Sequence, residues 1–365
     1  METSYATENL ETIRERILSG NRLSLQDGLD LYACPDLMAI AQLADHVNQK
    51  RNNRHVYFIQ NLYINPTNVC EASCSFCAFR RDADAEGAYT MNEEELLHYT
   101  DSHYHEGIKE FHIVGGHNTE VSFDYYVHTL TTLKKHYPKV TLKAYTAAEI
   151  VFFCKQTGWP TEKILETLMA AGLETLPGGG AEILTERYRS ITSPDKASTE
   201  EWLDVHRTAH RMGMYTHATM LYGGIESYEE RILHMLRIRN LQDDTGGFLV
   251  FIPLAMQPRL KTASIRKRTS AMDDLKTIAI SRLMLDNIPH IKAYFINIGT
   301  QLAQLATHCG ADDLHGTLME ERISQAAGSI AEKALTTQDL IWLIRGAQRI
   351  PVERDTFYRT MTVHT

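Results

Sequence analysis

Three thiols fall within eight residues, in the run Cys70-Glu71-Ala72-Ser73-Cys74-Ser75-Phe76-Cys77. Cysteines spaced C-x3-C-x2-C can wrap one loop around a face of an iron–sulfur cluster, for which thiolates are the preferred ligands. Three ligands leave one iron of a four-iron cluster open, and an open iron can bind a reacting molecule. A zinc site or buried free thiols is the other reading. A closed structural zinc site takes four protein ligands, and no C-x2-C or H-x3-H partner lies nearby. A cluster used only for electron transfer would also ligate every iron, which Cys154 or Cys309 could do.

Such a loop needs a scaffold. Strand-like apolar runs occur at Val56–Ile64, Glu110–Val114, Val140–Tyr145, Leu173–Leu176, Tyr215–Leu221, Gly247–Pro253 and Ile291–Ile298, with a weaker one near Asp313–Leu318. Helical stretches separate them, among them Glu93–His105, Phe123–His136, Glu162–Ala171, Glu200–Met212, Ser227–Leu241 and Asp273–Asp286. Strand–helix alternation with buried strands implies a parallel sheet. The number of units predicts an α/β fold of the (β/α)8, TIM-like barrel type, with chemistry at the carboxyl ends of the strands; a doubly wound open sheet is the alternative. Residues 1–50 read as a helical extension, with Ser24 and Asp27 as a capping pair and Pro35-Asp36 opening a further helix. Residues 51–319 read as the barrel, and 320–365 as a C-terminal helical extension packed on it.

Several unusual residues follow strands. The cysteine loop follows the first run. Gly115-Gly116-His117 follows the second, where paired glycines allow close approach of a ligand or simply make a turn. Glu149 follows the third. The fourth ends in Leu176-Pro177-Gly178-Gly179-Gly180-Ala181-Glu182; Glu182 could accept hydrogen bonds from a ligand or be a helix-terminal acid. Gly223, Gly224 and Glu226 follow the fifth, and the sixth ends at Pro253-Leu254. His217, inside a strand, reads as a satisfied core histidine or a group facing the barrel interior. Arg282 offers a fork for a carboxylate or an ion pair with Asp286 one turn on.

A net charge of −9 excludes the basic footprint of a nucleic-acid binder. There is no apolar run of 18 residues, so no membrane span is expected. The first residues have no signal-peptide core, and six cysteines, three of them clustered, suit a reducing cytoplasm. Cys34, Cys154 and Cys309, scattered along the chain, read as small buried hydrophobes.

The cysteine spacing resembles the radical S-adenosylmethionine (SAM) superfamily. The blocks NPTNVCEASCSFCAF, LKAYTAAEI, LPGGGAEI, ATMLYGGIE, LQDDTGGFLVFIPL, DDLKTIAISRLMLDNIPHIKAY, GADDLHGT and PVERDTFY, spread over about residues 56–358, resemble the aminofutalosine synthase family of the futalosine route to menaquinone. The dehypoxanthine futalosine cyclases and the deazaflavin-forming synthases are sister families. His117 and Asn118-Thr119 depart from the family pattern after the second strand, and Leu221 and Thr219 depart from its G-x-I-x-G-x-x-E element.

The resemblance implies a 4Fe–4S cluster on Cys70, Cys74 and Cys77, and SAM consumed as a co-substrate. It implies SAM contacts at Phe76 and Pro253 toward adenine, Gly115 and Gly116 toward the amino group, and Glu182 and Gly223 elsewhere on the nucleoside. Glu149, His117 and Arg282 would face the small-molecule substrate. A reductant such as flavodoxin or ferredoxin would supply the electron. The implied reaction adds the 5′-deoxyadenosyl radical from SAM to the alkene of 3-[(1-carboxyvinyl)oxy]benzoate, then rearranges and loses carbon dioxide to give 6-amino-6-deoxyfutalosine. In the sister cyclase the radical abstracts hydrogen instead.

Overall fold

A computed structural model describes residues 2–257, 269–317, 322–329 and 335–365. Its strands are β1 (His55–Ile59), β2 (Asn61–Ile64), β3 (Glu110–Ile113), β4 (Thr141–Ala144), β5 (Leu173–Thr175), β6 (Thr216–Tyr222), β7 (Phe248–Ala255), β8 (His290–Ile291), β9 (Asp313–Gly316), β10 (Ile350–Arg354) and β11 (Thr360–Val363). They pair as three sheets, in the orders β2-β3-β4-β5, β6-β7-β8 and β11-β10-β1-β9. All pairs are parallel except β10 with β11. Single bridges join the sheets at Leu176 with Thr216 and at Lys292 with Asp313. The architecture is α/β with parallel strands. No ladder among the described residues closes into a ring, so the pairing does not record the expected eight-stranded closure.

The central strands form where the sequence is apolar and β-rich, and they are buried on both faces, whereas β11 at the edge is exposed throughout. Phe111, Ile113, Leu142, Ala144, Val250 and Phe251 are fully buried, as expected of parallel strands covered by helices. The covering helices start at matched polar signals. Ser24 and Asp27 form the expected capping box, and so do Asn92 with Glu95, Thr146 with Glu149, Ser198 with Glu201 and Ser227 with Glu230. Asp36 caps Leu37–Asn52 by accepting from the Ala39 N–H at 3.0 Å.

Two expectations are corrected. The run Ile291–Ile298 is strand only at its start. Lys292 and Ala293 still donate to the Phe251 and Asp313 carbonyls, at 3.0 and 2.8 Å, but Phe295–Ile298 is a helical turn closed by Gly299 at φ +86°. A short apolar run with both sides buried has no period that separates helix from strand. Nor is 320–365 all helix. Thr337–Gly346 is, but β10 adds a parallel strand to β1, in the register His55 with Ile350, and β11 returns antiparallel. Pro351 sits inside β10 and uses its carbonyl, accepting from the His364 N–H at 3.0 Å.

Candidate active site

The loop from Asn65 to Met91 has no regular structure, and polar contacts fix it. Asn118 Nδ2 donates to Thr67 Oγ1 at 3.1 Å and to Thr90 Oγ1 at 2.8 Å, while Asn68 Nδ2 donates to the Gly87 carbonyl at 2.8 Å. Arg80 Nε donates to the Cys70 carbonyl at 2.9 Å, and Ser73 bonds to Asp195 through its hydroxyl and, at 3.0 Å, its N–H. The loop after β3 clamps it from the other side: Glu71 N–H donates to the His117 carbonyl at 2.9 Å, and His117 N–H donates to Cys70 Sγ at 3.2 Å.

Cys70, Cys74 and Cys77 all border one cavity of about 310 Å³. Cys34, Cys154 and Cys309 are free thiols and do not border it. Burial pushes the Cys74 thiol up to about 11 and raises Cys70 as well. Binding a metal cluster there must displace thiol protons. Among the described residues no His, Cys, Asp or Glu side chains are grouped as a single metal ion requires. The three thiols border one cavity but are not drawn together as a group in this structure; as soft donors they are the ligand type an iron–sulfur cluster takes. Lys196 adds a positive charge beside them. Burial opposes its ammonium, yet Cys74, Glu182 and Cys77 hold its pKa above the usual range, and its Nζ lies 2.9 Å from Glu182 Oε1 and 5.5 Å from the Phe76 ring centre.

Most expected site residues share this cavity: Phe76, Gly115, Gly116, His117, Glu149 and Glu182 border it with the thiols. Glu182 is held at φ +47°, an uncommon conformation for a non-glycine residue, after Gly180 at φ +78°. The environments of four others change their expected roles. Each Glu149 oxygen accepts from one backbone donor, Gly115 N–H at 3.1 Å and Thr146 N–H at 2.7 Å, so it fixes the glycine loop while bordering the cavity. Burial pushes its carboxyl up to about 7. His117 stacks on Phe152 with ring centres 5.1 Å apart, and burial lowers it to about 3, so it is a neutral packing group whose backbone reaches Cys70. Pro253 does not border the cavity; strand alternation turns Ile252 and Leu254 toward it instead. Gly223 does not border it either. Its N–H donates to Glu226 Oε1 at 2.5 Å in the turn after β6, at φ +92°.

Arg282 is not brought to the cavity. It is 1% exposed and donates to the carbonyls of Gly310 and Pro289 and, at 2.7 Å, to Asp312 Oδ1. Asp312, not Asp286, is its ion-pair partner, and His290 Nδ1 meets the same carboxylate at 2.5 Å.

The cavity also contains a tier of which sequence reasoning singled out only His217, as a core or interior-facing histidine, and missed the rest. His112 on β3, Lys143 on β4, His217 on β6, Lys292 after β8 and His315 on β9 border it. The signal was a charged or imidazole side chain inside a strand-like apolar run, legible at Lys143, His112 and Lys292. Lys196 gave no such signal, since its Ser193-Pro194-Asp195-Lys196 context reads as an ordinary turn.

Residues 64–238 match the radical SAM superfamily, and residues 245–365 match the CofH/MqnC C-terminal region. The chain is 44% identical over 355 residues to the aminodeoxyfutalosine synthase of Thermus thermophilus, covering 96% of this chain and 95% of that protein. The chain belongs to the radical SAM family that contains aminodeoxyfutalosine synthase. The same enzyme of Streptomyces coelicolor is 41% identical over 360 residues, covering 96% and 93% of the two chains. The X-ray structure of the FeFe-hydrogenase maturase HydG from Carboxydothermus hydrogenoformans superposes with a TM-score of 0.74 at 17% identity, covering 98% of this chain and 82% of that one. As a radical SAM enzyme the chain keeps its thiols on the loop after β2, beside the glycines after β3. Among its described residues no helix is long and apolar enough to cross a membrane.

Proposed function

We propose that the protein joins the adenosyl part of SAM to 3-[(1-carboxyvinyl)oxy]benzoate with loss of carbon dioxide, giving 6-amino-6-deoxyfutalosine for menaquinone synthesis. The observation that carries this reading is near-full-length likeness to aminodeoxyfutalosine synthases. The three-thiol rim of the cavity supports it. Cys70, Cys74 and Cys77 would hold a 4Fe–4S cluster with SAM on its open iron; so loaded, the site supplies a 5′-deoxyadenosyl radical. The backbone of Gly115 and Gly116, which borders the cavity beside Cys70, would meet the amino end of SAM, and Phe76 would face its adenine together with Ile252 and Leu254. Lys196 offsets the negative charge of the thiolates. The apolar cavity wall excludes water, which protects a radical from side reactions.

In this reading the three sheets are parts of one (β/α) barrel, joined at the Leu176–Thr216 and Lys292–Asp313 bridges. Residues 1–50 form the N-terminal extension, and β10 and β11 belong to the C-terminal one. The protein works in the cytoplasm with a flavodoxin- or ferredoxin-type reductant.

Anaerobic incubation of the reconstituted protein with reductant, the enol-ether benzoate and SAM labelled in its ribose tests the reaction. The label is expected in a product that carries both the adenine and the benzoate. Label recovered only as 5′-deoxyadenosine, beside a cyclised or unchanged substrate, overturns the assignment.

In this reading Glu182, on the cavity wall, accepts from the ribose diol of SAM. A hydrogen bond to a charged acceptor is worth about 1.5–3 kcal/mol. Glu182→Gln keeps the shape and loses the charge, so SAM binding measured by anaerobic calorimetry is expected to weaken roughly tenfold, ~1.4 kcal/mol, with cluster content retained. An unchanged affinity returns Glu182 to the role of partner for Lys196 alone.

A further inference from the structure

The floor of the cavity has a charge imbalance that the thiol rim does not use. Tyr63, His112 and Lys143 are register partners across β2, β3 and β4, so they form one row below the glycine and cysteine loops that leave the carboxyl ends of these strands. Lys292 and Asp313 are bridged where the chain after β8 meets β9. Two carboxylates sit among these groups. Glu110 pairs with Lys143, while Asp313 lies 3.5 Å from Lys292 Nζ and is committed at 2.7 Å to Arg354 Nε. Fully ionised, the group has three cations, Lys143, Lys292 and Arg354, against two anions, Glu110 and Asp313.

The remaining donors are aligned and partly unused. Lys292 Nζ lies 3.0 Å from His315 Nδ1, and His315 Nε2 lies 3.1 Å from the Tyr63 hydroxyl. An ammonium donating to Nδ1 leaves the proton of His315 on Nε2. His217 is 2% exposed, and among the described residues neither its Nε2 nor His112 Nδ1 has a hydrogen-bond partner. Buried polar atoms are rarely left so. His315 is also held at φ +86°, a left-handed conformation that is strained for a bulky residue and that clusters at functional sites. Two amines short of one anion, with two unpaired imidazole nitrogens beside them, make a donor set for a carboxylate.

We propose that this floor is the seat for the benzoate carboxylate of the substrate, with the enol ether directed at the thiol rim. The inference rests on the functional reading above. Two arguments choose this end of the molecule. The alkene must lie near the rim, where the adenosyl group is delivered, and the benzoate carboxylate lies across the aromatic ring from it. The other carboxylate leaves as carbon dioxide, and a cationic partner would hold it back by stabilising the charged ground state over the neutral product.

Protonation gives a second handle on the seat. Burial lowers the Lys292 amine to about 7; Arg354 and Lys143 also oppose its charge, Asp313 and Glu110 favour it, and His315 meets it directly. At pH 8 the empty floor therefore holds Lys292 largely neutral, and an added carboxylate restores its proton.

The test is calorimetry on the cluster-reconstituted protein with SAM, titrated with 3-methoxybenzoate and with 3-methoxybenzamide. The acid is expected to bind at least tenfold tighter than the amide. Titrations at pH 8 in buffers of different ionisation heat should show net proton uptake. Lys292→Met removes the uptake and most of the preference, and Lys143→Met reduces the preference. Equal binding of acid and amide to the wild-type protein overturns the seat, as does a full preference surviving in both variants. If a variant loses its cluster, the wild-type preference and proton uptake decide. Coupled adenosyl product without acid preference overturns the seat alone; a Lys292-dependent preference without coupled product keeps the seat and overturns the assigned reaction.

Discussion

Replacing Cys74 by alanine abolishes turnover and removes most of the brown absorbance of the anaerobically reconstituted protein. Cys74 is 7% exposed, borders the cavity with Cys70 and Cys77, and has Lys196 beside it. Each thiolate would fill one iron, and no other cysteine borders the cavity to take its place. Cys70→Ala and Cys77→Ala should behave alike, while Cys154→Ser, on a separate surface cleft, keeps both absorbance and activity. Loading also has a pH direction. Burial holds the Cys74 thiol near 11, above its ordinary value, so cluster binding must displace thiol protons. Iron uptake should therefore release protons and weaken as pH falls. Wild-type iron content and turnover in Cys74→Ala would remove the cluster from this loop.

The sequence made the rim legible and the floor nearly illegible, for a physical reason. Thiols at short spacing have few innocent explanations, and glycine runs after strands mark places where a backbone must pass closely. Gly178 shows this: a Cβ there would meet the backbone of Ala218 and Thr219 at 2.7 Å. The floor residues come from β3, β4, β6 and β9 and from the end of β8, and no local spacing links them. Each looks alone like an ordinary polar interruption of a strand, and only the parallel register puts Tyr63, His112 and Lys143 in one row.

The same limit explains the misplaced roles. Arg282 on an apolar helix face resembles a carboxylate ligand, but its partner Asp312 is 30 positions away along the chain. Glu149 follows a strand as a substrate contact would, and Thr146 three residues before it also makes it half of a capping box. In the fold, the apolar runs located the strands from β2 to β7, but the single run Val56–Ile64 breaks at Gln60 into β1 and β2, which lie in two sheets, and the helix Ala147–Thr157 was not read. Apolar periodicity also failed at Phe295–Ile298 and at β10, where burial on all sides and a tolerated proline removed the usual cues.

Gly116→Ala is expected to lower turnover at least ~100-fold, or about 2.7 kcal/mol at 1.36 kcal/mol per decade, in a protein that still folds. A Cβ at this position would lie 2.0 Å from the Val69 carbonyl oxygen and 2.9 Å from Cys70 Cβ. Neither neighbour is the free end of a flexible side chain. One is backbone and the other carries a thiol of the rim, so relief must come from moving the cysteine loop. Overpacking of this kind costs typically about 1–3 kcal/mol in stability, which a chain of this size survives. The displacement nevertheless falls on atoms that must hold position. Gly116 N–H donates to the Thr67 carbonyl at 3.1 Å, and the next residue's N–H donates to Cys70 Sγ at 3.2 Å, so a shift to admit the methyl disturbs both anchors. Iron content should fall with activity. Gly158→Ala is the matching control. It imposes strain at φ +71° with nothing within 4 Å, at the end of the helix Ala147–Thr157, and should cost stability while leaving iron content and turnover intact. A Gly116→Ala protein with full iron and wild-type turnover would mean that the loops after β2 and β3 are not packed against each other in the working enzyme, because no smaller movement accommodates that methyl group.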